Sequence, residues 1–418
     1  MPNVRSTYGD SVRFYGSEDP RELVARFGSP LYVYNEAILR SCLRDLAGLS
    51  DHPGFRVNYS AKANTNPALL RIVREEGCLA DAMSPAELRF NVMAGFDPKG
   101  MLYVCNNVSR EEMEFALSMG ALISVDSLSQ ARMLAEIAPG GSVMARFNPG
   151  IGVGHSEKVV TAGKKTKFGI DPDKADELLD ILAARRVRLA GINQHIGSLF
   201  MDGADYVRAM DVLLALAERF EGLEIIDFGG GFGIPYEKYA GAPRLDMKVL
   251  GAALDARLKE WSAKTGYAGR FYVEPGRYAV AECGAVLGTV HAVKNNGPDI
   301  YAGTDIGFSI LARPMLYNAF HDIEIYRENG APDDELVDQT VVGNICESGD
   351  ILAKHRMLPR LKEGDVISLL DAGAYGYVMA SDYNQRVRPA EVLIGTDGAA
   401  RLIRRRETFE DLCATLNV

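Results

Sequence analysis

The feature that most limits what this chain can fold into is an alternation running from Phe55 to Tyr278. A short apolar run ends in small or polar residues, a helical stretch of about three turns follows, and the pattern begins again. The apolar runs are Phe55–Ala61, Leu79–Ala82, Met101–Cys105, Leu122–Val125, Ser142–Phe147, Leu189–Gln194, Leu223–Phe228 and Phe271–Glu274, eight candidate strands in all. Between them, apolar residues at i, i+3 and i+4 predict helices over Pro67–Glu76, Pro85–Ala94, Arg110–Met119, Ser129–Ile137, Pro172–Ala184, Tyr206–Arg219 and Met247–Thr265. Eight alternating units predict a closed (β/α)8 barrel of the TIM type. An open doubly wound sheet is the alternative that the alternation alone leaves standing.

After Ala279 the helical period fades. Runs rich in Val, Ile and Tyr alternate with turn residues at Val286–Val293, Asp322–Tyr326, Thr340–Ile345, Val366–Leu370 and Ala390–Ile394, and Gly395-Thr396-Asp397-Gly398 has hairpin chemistry. The expected fold class is therefore α/β: a TIM-like (β/α)8 barrel over 37–279 plus a mostly antiparallel β-barrel or sandwich domain over 280–418. The N-terminal segment 1–36, with the apolar run Leu31–Tyr34, is expected to join the β domain. A chain of 418 residues is too long for one ordinary core and agrees with such a division.

Composition removes several partners. The net charge of −10 comes with no long basic run, which argues against nucleic acid and an anionic membrane surface. Met1 to Tyr15 holds no apolar stretch of signal-peptide length, and no segment approaches the roughly 20 apolar residues of a membrane helix. The six cysteines (Cys42, Cys78, Cys105, Cys283, Cys346, Cys413) form no CxxC pair, and the six histidines are equally dispersed. They read as reduced thiols of a cytoplasmic protein with no metal site.

In barrels of this kind the reacting groups lie at the C-terminal ends of the strands. The first strand ends in Tyr59-Ser60-Ala61-Lys62-Ala63-Asn64 and the fifth in Arg146-Phe147-Asn148-Pro149-Gly150. The sixth ends in His195-Ile196-Gly197-Ser198, the seventh in Gly229-Gly230-Gly231-Phe232-Gly233, and the eighth in Glu274-Pro275-Gly276-Arg277. Alone, Lys62 reads as a surface lysine, His195 as a structural histidine, the glycines as a turn, and Glu274 with Arg277 as a weak surface ion pair. Together they place a lysine, a histidine, a phosphate-sized glycine loop, an acid and an arginine around one barrel mouth. Pyridoxal 5′-phosphate needs this set: an amine for the Schiff base, backbone N–H groups for the phosphate, and an acid to keep the ring nitrogen protonated.

These segments, with Lys167-Phe168-Gly169-Ile170, Cys346-Glu347-Ser348-Gly349-Asp350 and Asp371-Ala372-Gly373-Ala374-Tyr375-Gly376-Tyr377, resemble the barrel-type, fold type III PLP-dependent decarboxylases, and among them the diaminopimelate decarboxylases. The similarity runs from Ser29 to Glu391. It implies that Lys62 is the Schiff-base lysine, that His195 stacks on the cofactor ring, and that Glu274 meets the pyridine nitrogen. It further implies phosphate contacts from Ser198, Gly231, Gly276 and Tyr375. Arg277, Arg313, Tyr317, Glu347 and Tyr375 are implied as substrate contacts, and Cys346 as a catalytic cysteine that reaches the active site of a partner subunit. The expected activity is decarboxylation of meso-2,6-diaminopimelate to L-lysine by a homodimer with shared sites. Arg277 and Arg313 would anchor carboxylates through bidentate hydrogen bonds.

The chain departs from the family pattern in two places. Ala86 stands where glycine is common before Glu87, and Asp305-Ile306-Gly307-Phe308-Ser309 replaces a more polar stretch before Arg313. The second departure keeps open a related decarboxylase acting on D-ornithine, D-lysine, or a siderophore or carrier-bound amino acid. A barrel-type racemase would place an arginine, not Glu274, at the ring nitrogen. A non-catalytic PLP-binding protein would be a single barrel without the Cys346-Glu347 block.

Overall fold

A computed structural model describes residues 14–154, 166–328 and 336–417. Of the N-terminal segment 1–36, residues 1–13 lie outside the described residues. The chain divides into two compact units: one runs from Arg40 to Ile234 and from Arg244 to Ala279, the other takes the chain up to Leu39, Pro235–Pro243 and the chain from Val280 on.

The first unit is a parallel eight-stranded barrel. Its strands are β1 (Phe55–Tyr59), β2 (Leu79–Ala80), β3 (Leu102–Val104), β4 (Leu122–Val125), β5 (Ser142–Arg146), β6 (Arg188–Asn193), β7 (Ile225–Asp227) and β8 (Arg270–Val273). The hydrogen-bonded order is β2-β1-β8-β7-β6-β5-β4-β3. Ala82, just past β2, closes the ring with a parallel bridge to Tyr103. Its N–H donates to Leu102 O and its carbonyl accepts from Val104, both at 2.9 Å. Leu102, Val104, Met144, Ile225 and Tyr272 pack together as a buried core.

The intervening helices start where their caps dictate. Asn66, Ser84, Ser127 and Asp246 each accept a backbone N–H of the first turn, and Ser109 forms a capping box with Glu112. Ala86 sits inside the first turn of the helix Pro85–Met93 and leaves the Ser84 cap intact.

Several strands stop one or two residues before the apolar runs do. The last residues of those runs turn onto the rim, and their N–H groups are satisfied there: Ser60 by Pro275 O (3.1 Å), Phe228 by Tyr272 O (2.9 Å), Glu274 by Gly229 O (2.9 Å). Glu274, singled out in the sequence, thus lies just past the ladder.

The second unit is built on a nine-stranded sheet. Leu31–Asn35 lies inside it, antiparallel to Gly284–Asn296 and parallel to Ala390–Ile394. Val366–Leu369 pairs antiparallel with both Gly284–Asn296 and Ile323–Tyr326. A second parallel pairing joins Asp299–Thr304 to Leu336–Val342, and the other pairs are antiparallel. The sequence gives no strand signal for Asp299–Thr304, Ile351–Pro359 or Ala400–Arg404. The last two are the sheet's edges, where one side of the strand has no ladder to fill and side chains such as Met357 and Leu402 stay exposed. The segment Pro235–Pro243 is held in this unit by buried Lys238, which pairs with Glu282 (2.7 Å) and Asp371 (2.5 Å).

Candidate active site

At the end of β1 the chain makes a single 3-10 turn, Ala61–Ala63, that presents Lys62. The turn is bolted on two sides. The Tyr59 hydroxyl donates to Asn64 O (3.0 Å), Asn64 Oδ1 accepts from Asn66 N (3.0 Å), and Asn66 opens the next helix. From β2's side, Asp81 Oδ1 accepts the Ala61 N–H (2.9 Å) and its Oδ2 contacts Ser60 Oγ (3.0 Å). Asp81 is fully buried, and burial, reinforced by the charge of Glu274, pushes its carboxyl up to about 8.

Glu274 follows β8 and Asp227 ends β7; both are buried. Asp227 Oδ1 accepts the Gly229 N–H at 2.8 Å. Burial, then the charge of Asp227, raises the Glu274 carboxyl well above its ordinary range, while burial lifts Asp227 to about 7. The two carboxyls interact, and burial drives both toward their protonated forms. Glu274 Oε1 and Asp227 Oδ2 accept no hydrogen bond from the described residues. Arg146, last in β5, is buried over Phe168 with its Cζ 4.6 Å from the ring centre, and it feels the charges of Glu274, Asp126 and Asp227.

His195, after β6, receives the Gly230 N–H on Nδ1 (3.2 Å), so its proton sits on Nε2. Burial, then the positive charges of Lys62 and Arg146, holds its pKa well below the usual histidine value and keeps the ring neutral. The glycine loop lies flat between the ends of β6 and β8. A Cβ at Gly230 would stand 2.0 Å from Glu274 O, and one at Gly231, where φ is +110°, 2.6 Å from Gly197 O. The Arg277 Nη2–H donates to Ser198 Oγ at 3.0 Å. The N–H groups of Gly231 and Gly276 donate to no carbonyl among the described residues.

This rim fits pyridoxal phosphate. Backbone N–H groups of a glycine loop beside Ser198 and Arg277 suit a phosphate dianion, and the Glu274 oxygen suits a protonated ring nitrogen. The structure thus brings together seven of the residues singled out in the sequence: Lys62, His195, Ser198, Gly231, Glu274, Gly276 and Arg277. Asp81 and Asp227 were missed as members of the cluster. Each is an aspartate at the end of an apolar strand run, and that signal was available.

The remaining candidates belong to the second unit. Arg313 opens the short helix Arg313–Tyr317 and is 1% exposed. Cys346 and Glu347 are exposed on a turn whose Asp350 accepts the N–H groups of Ile345 (2.7 Å) and Phe308 (2.6 Å). Asn384 Oδ1 takes the Cys346 N–H at 3.0 Å, and Asn384 Nδ2 lies 3.1 Å from the sulfur. Tyr383 donates to Glu347 at 2.7 Å and stacks on Phe308. Phe308, Met315, Glu347 and Tyr383 line a groove of about 520 Å³. The Gly307–Ser309 departure therefore supplies a wall of the groove that carries Glu347. Tyr375 is held in a left-handed backbone conformation, φ +55°. Among the described residues no group of three or more His, Cys, Asp or Glu could hold a metal, and no helix is long and apolar enough to cross a membrane.

The family profile described as pyridoxal-dependent decarboxylase, pyridoxal binding domain, matches residues 41–281. The chain is 40% identical over 413 residues to a diaminopimelate decarboxylase of Methanothermobacter thermautotrophicus, covering 96% of this chain and 95% of that one. It is 32% identical to the Escherichia coli K12 diaminopimelate decarboxylase over 95% of this chain and 96% of its relative. The crystal structure of the M. jannaschii diaminopimelate decarboxylase in co-complex with L-lysine superposes with a TM-score of 0.85 at 31% identity, covering 96% of this chain and 94% of the other.

Proposed function

The chain belongs to the diaminopimelate decarboxylases, within the pyridoxal-dependent decarboxylase family, and we propose that it converts meso-2,6-diaminopimelate to L-lysine and carbon dioxide with pyridoxal 5′-phosphate as cofactor. The observation that carries this reading is the buried Glu274 carboxyl on the same barrel rim as Lys62, with an oxygen, Oε1, that accepts no hydrogen bond from the described residues. Bound there, the cofactor supplies a ring that accepts the electrons left when a carboxylate departs.

The chain's own groups do the rest. Lys62 would hold the cofactor through its side-chain amine. Ser198, Gly231, Gly276, Arg277 and Tyr375 would hold the phosphate. Neutral His195 would lie against the ring without adding charge to it. Glu274, whose hold on a proton is strengthened by burial and by Asp227, would share that proton with the ring nitrogen and keep it there as the facing carboxylate. Arg277, Arg313, Tyr317, Glu347 and Tyr375 bind the substrate's carboxylates and amines. Cys346 returns a proton to the carbon that lost its carboxylate.

The working unit is a homodimer of the cytoplasm, in which Cys346 and Glu347 of one subunit serve the barrel of the other. Their exposure and the long sequence distance from Lys62 support this arrangement. A substrate lacking the second carboxylate would leave an arginine without its counterion, a loss of a few kcal/mol. Release of CO2 by the purified holoenzyme should therefore favour meso-diaminopimelate over D-lysine and D-ornithine by roughly a hundredfold or more in kcat/KM. Equal or better use of D-ornithine overturns the substrate, and no CO2 from any of the three overturns the activity.

A further inference from the structure

The helix Arg313–Tyr317 starts with a guanidinium taken out of water, an expensive placement unless something fixes and uses it. His321 and Tyr236 are among the side chains that hold it. Arg313 Nη1 lies 2.9 Å from His321 Nε2, and its Cζ lies 4.5 Å from the centre of the Tyr236 ring. His321 is itself buried, with Nδ1 2.6 Å from Leu370 O and its ring edge-on to Tyr236 at 5.5 Å between centres. A carbonyl only accepts and a guanidinium only donates, so the partners determine the tautomer: Nδ1 carries the proton and Nε2 receives the Arg313 N–H. A neutral acceptor sets the guanidinium's orientation without neutralising its charge, whereas a carboxylate in the same place would have consumed it. None of these residues except Arg313 was singled out in the sequence.

We propose that His321, backed by Tyr236, is a positioning residue that fixes the Arg313 guanidinium for the carboxylate that stays on the substrate, and so enforces selection of a two-carboxylate substrate. The inference rests on the reading that Arg313 binds that carboxylate. It goes beyond it in assigning the selectivity to a histidine that acts through Arg313.

The test uses holoenzyme and two inhibitors that differ in one group: L-lysine, which keeps the carboxylate, and cadaverine, which lacks it. His321→Asn keeps a donor for Leu370 O but is too short to accept from Arg313. It should raise KM for meso-diaminopimelate and Ki for L-lysine by about tenfold or more, while kcat and the cadaverine Ki stay within about threefold. His321→Gln, whose amide oxygen reaches roughly the place of Nε2, should restore most of the loss. Tyr236→Leu should give the same split in smaller measure, and it carries the test if His321→Asn does not fold. In an Arg313→Ala background, His321→Asn should add less than about twofold, because its effect passes through the arginine. The proposal is overturned if His321→Asn weakens L-lysine and cadaverine equally, or if its full effect persists without Arg313. If Arg313→Ala alone leaves L-lysine inhibition unchanged, the role of Arg313 fails as well. If Arg313→Ala weakens L-lysine and His321→Asn does not, only the positioning role fails.

Discussion

The barrel rim and the Cys346–Glu347 turn solve opposite problems. On the rim, Asp81, Asp227, Glu274 and Arg146 are all buried, and the glycine loop is pressed so closely against its neighbours that no side chain fits. Buried charges cost several kcal/mol each unless paired. Here the cost is met partly by shifting protons onto the acids and partly by backbone N–H groups at Ala61 and Gly229. The turn pays no such cost, since Cys346 and Glu347 stand in solvent. It is instead steadied by Tyr383 and by Asn384, a residue with φ +58°. The rim is shaped to hold a ligand in one place and one protonation state. The turn is shaped to be offered outward.

Substitutions on the rim should therefore be the more damaging. Lys62→Ala should cut turnover by on the order of 10⁴-fold or more and abolish the visible absorbance of the lysine-bound cofactor. A variant that keeps both would remove Lys62 from the site. Glu274→Ala comes next. Turnover should drop by about a hundredfold while cofactor affinity changes less, because the acid acts on the ring's charge rather than on the phosphate. Unchanged turnover would mean another acid serves the ring.

What was legible in the sequence follows the same divide. The eight strand runs and seven helices could be read because each barrel unit repeats one period and most carry a cap, such as Ser109 with Glu112. The rim residues were legible because strand ends are where barrels put chemistry. Asp81 lies within the run Leu79–Ala82 but carries no role in the sequence, since its part lies in hydrogen bonds to Ser60 and Ala61, one strand away. His321 was invisible for a similar reason: its partners Arg313 and Leu370 are 8 and 49 positions distant, and no periodic pattern connects them. The edge strands Ile351–Pro359 and Ala400–Arg404 escaped because half-exposed strands need not alternate cleanly.

A subunit-mixing experiment sharpens the contrast from the side of the turn. Inactive Lys62→Ala and inactive Cys346→Ala chains, mixed and allowed to exchange, should recover about a quarter of wild-type activity. Half the dimers would be mixed, and each would hold one intact site of two. No recovery, once mass spectrometry confirms mixed dimers, would place Lys62 and Cys346 in the site of a single subunit.

The smallest effect is one of stability and pH. Asp81 has an ordinary value of 3.8 and is pushed up to about 8 in the fold, by burial first and the charge of Glu274 second, with Lys62 acting against them and Glu87 adding to them. Below about 4 the carboxyl is protonated in both folded and unfolded chains. Between about 4 and about 8 the unfolded chain gives up its proton while the native one keeps it, so stability falls as pH rises, and above about 8 the full penalty is present. Asp227 and Glu274 are shifted in the same direction and add to the slope. Asp81→Asn can keep the geometry, its oxygen accepting from Ala61 and its NH2 donating to Ser60, while removing the titration. The cofactor-free variant should lose a few degrees less in Tm than the wild type between pH 5 and pH 8. If the two proteins lose stability equally over that range, Asp81 is ionised in the native state, and the barrel rim does not hold its protons in the way its burial requires.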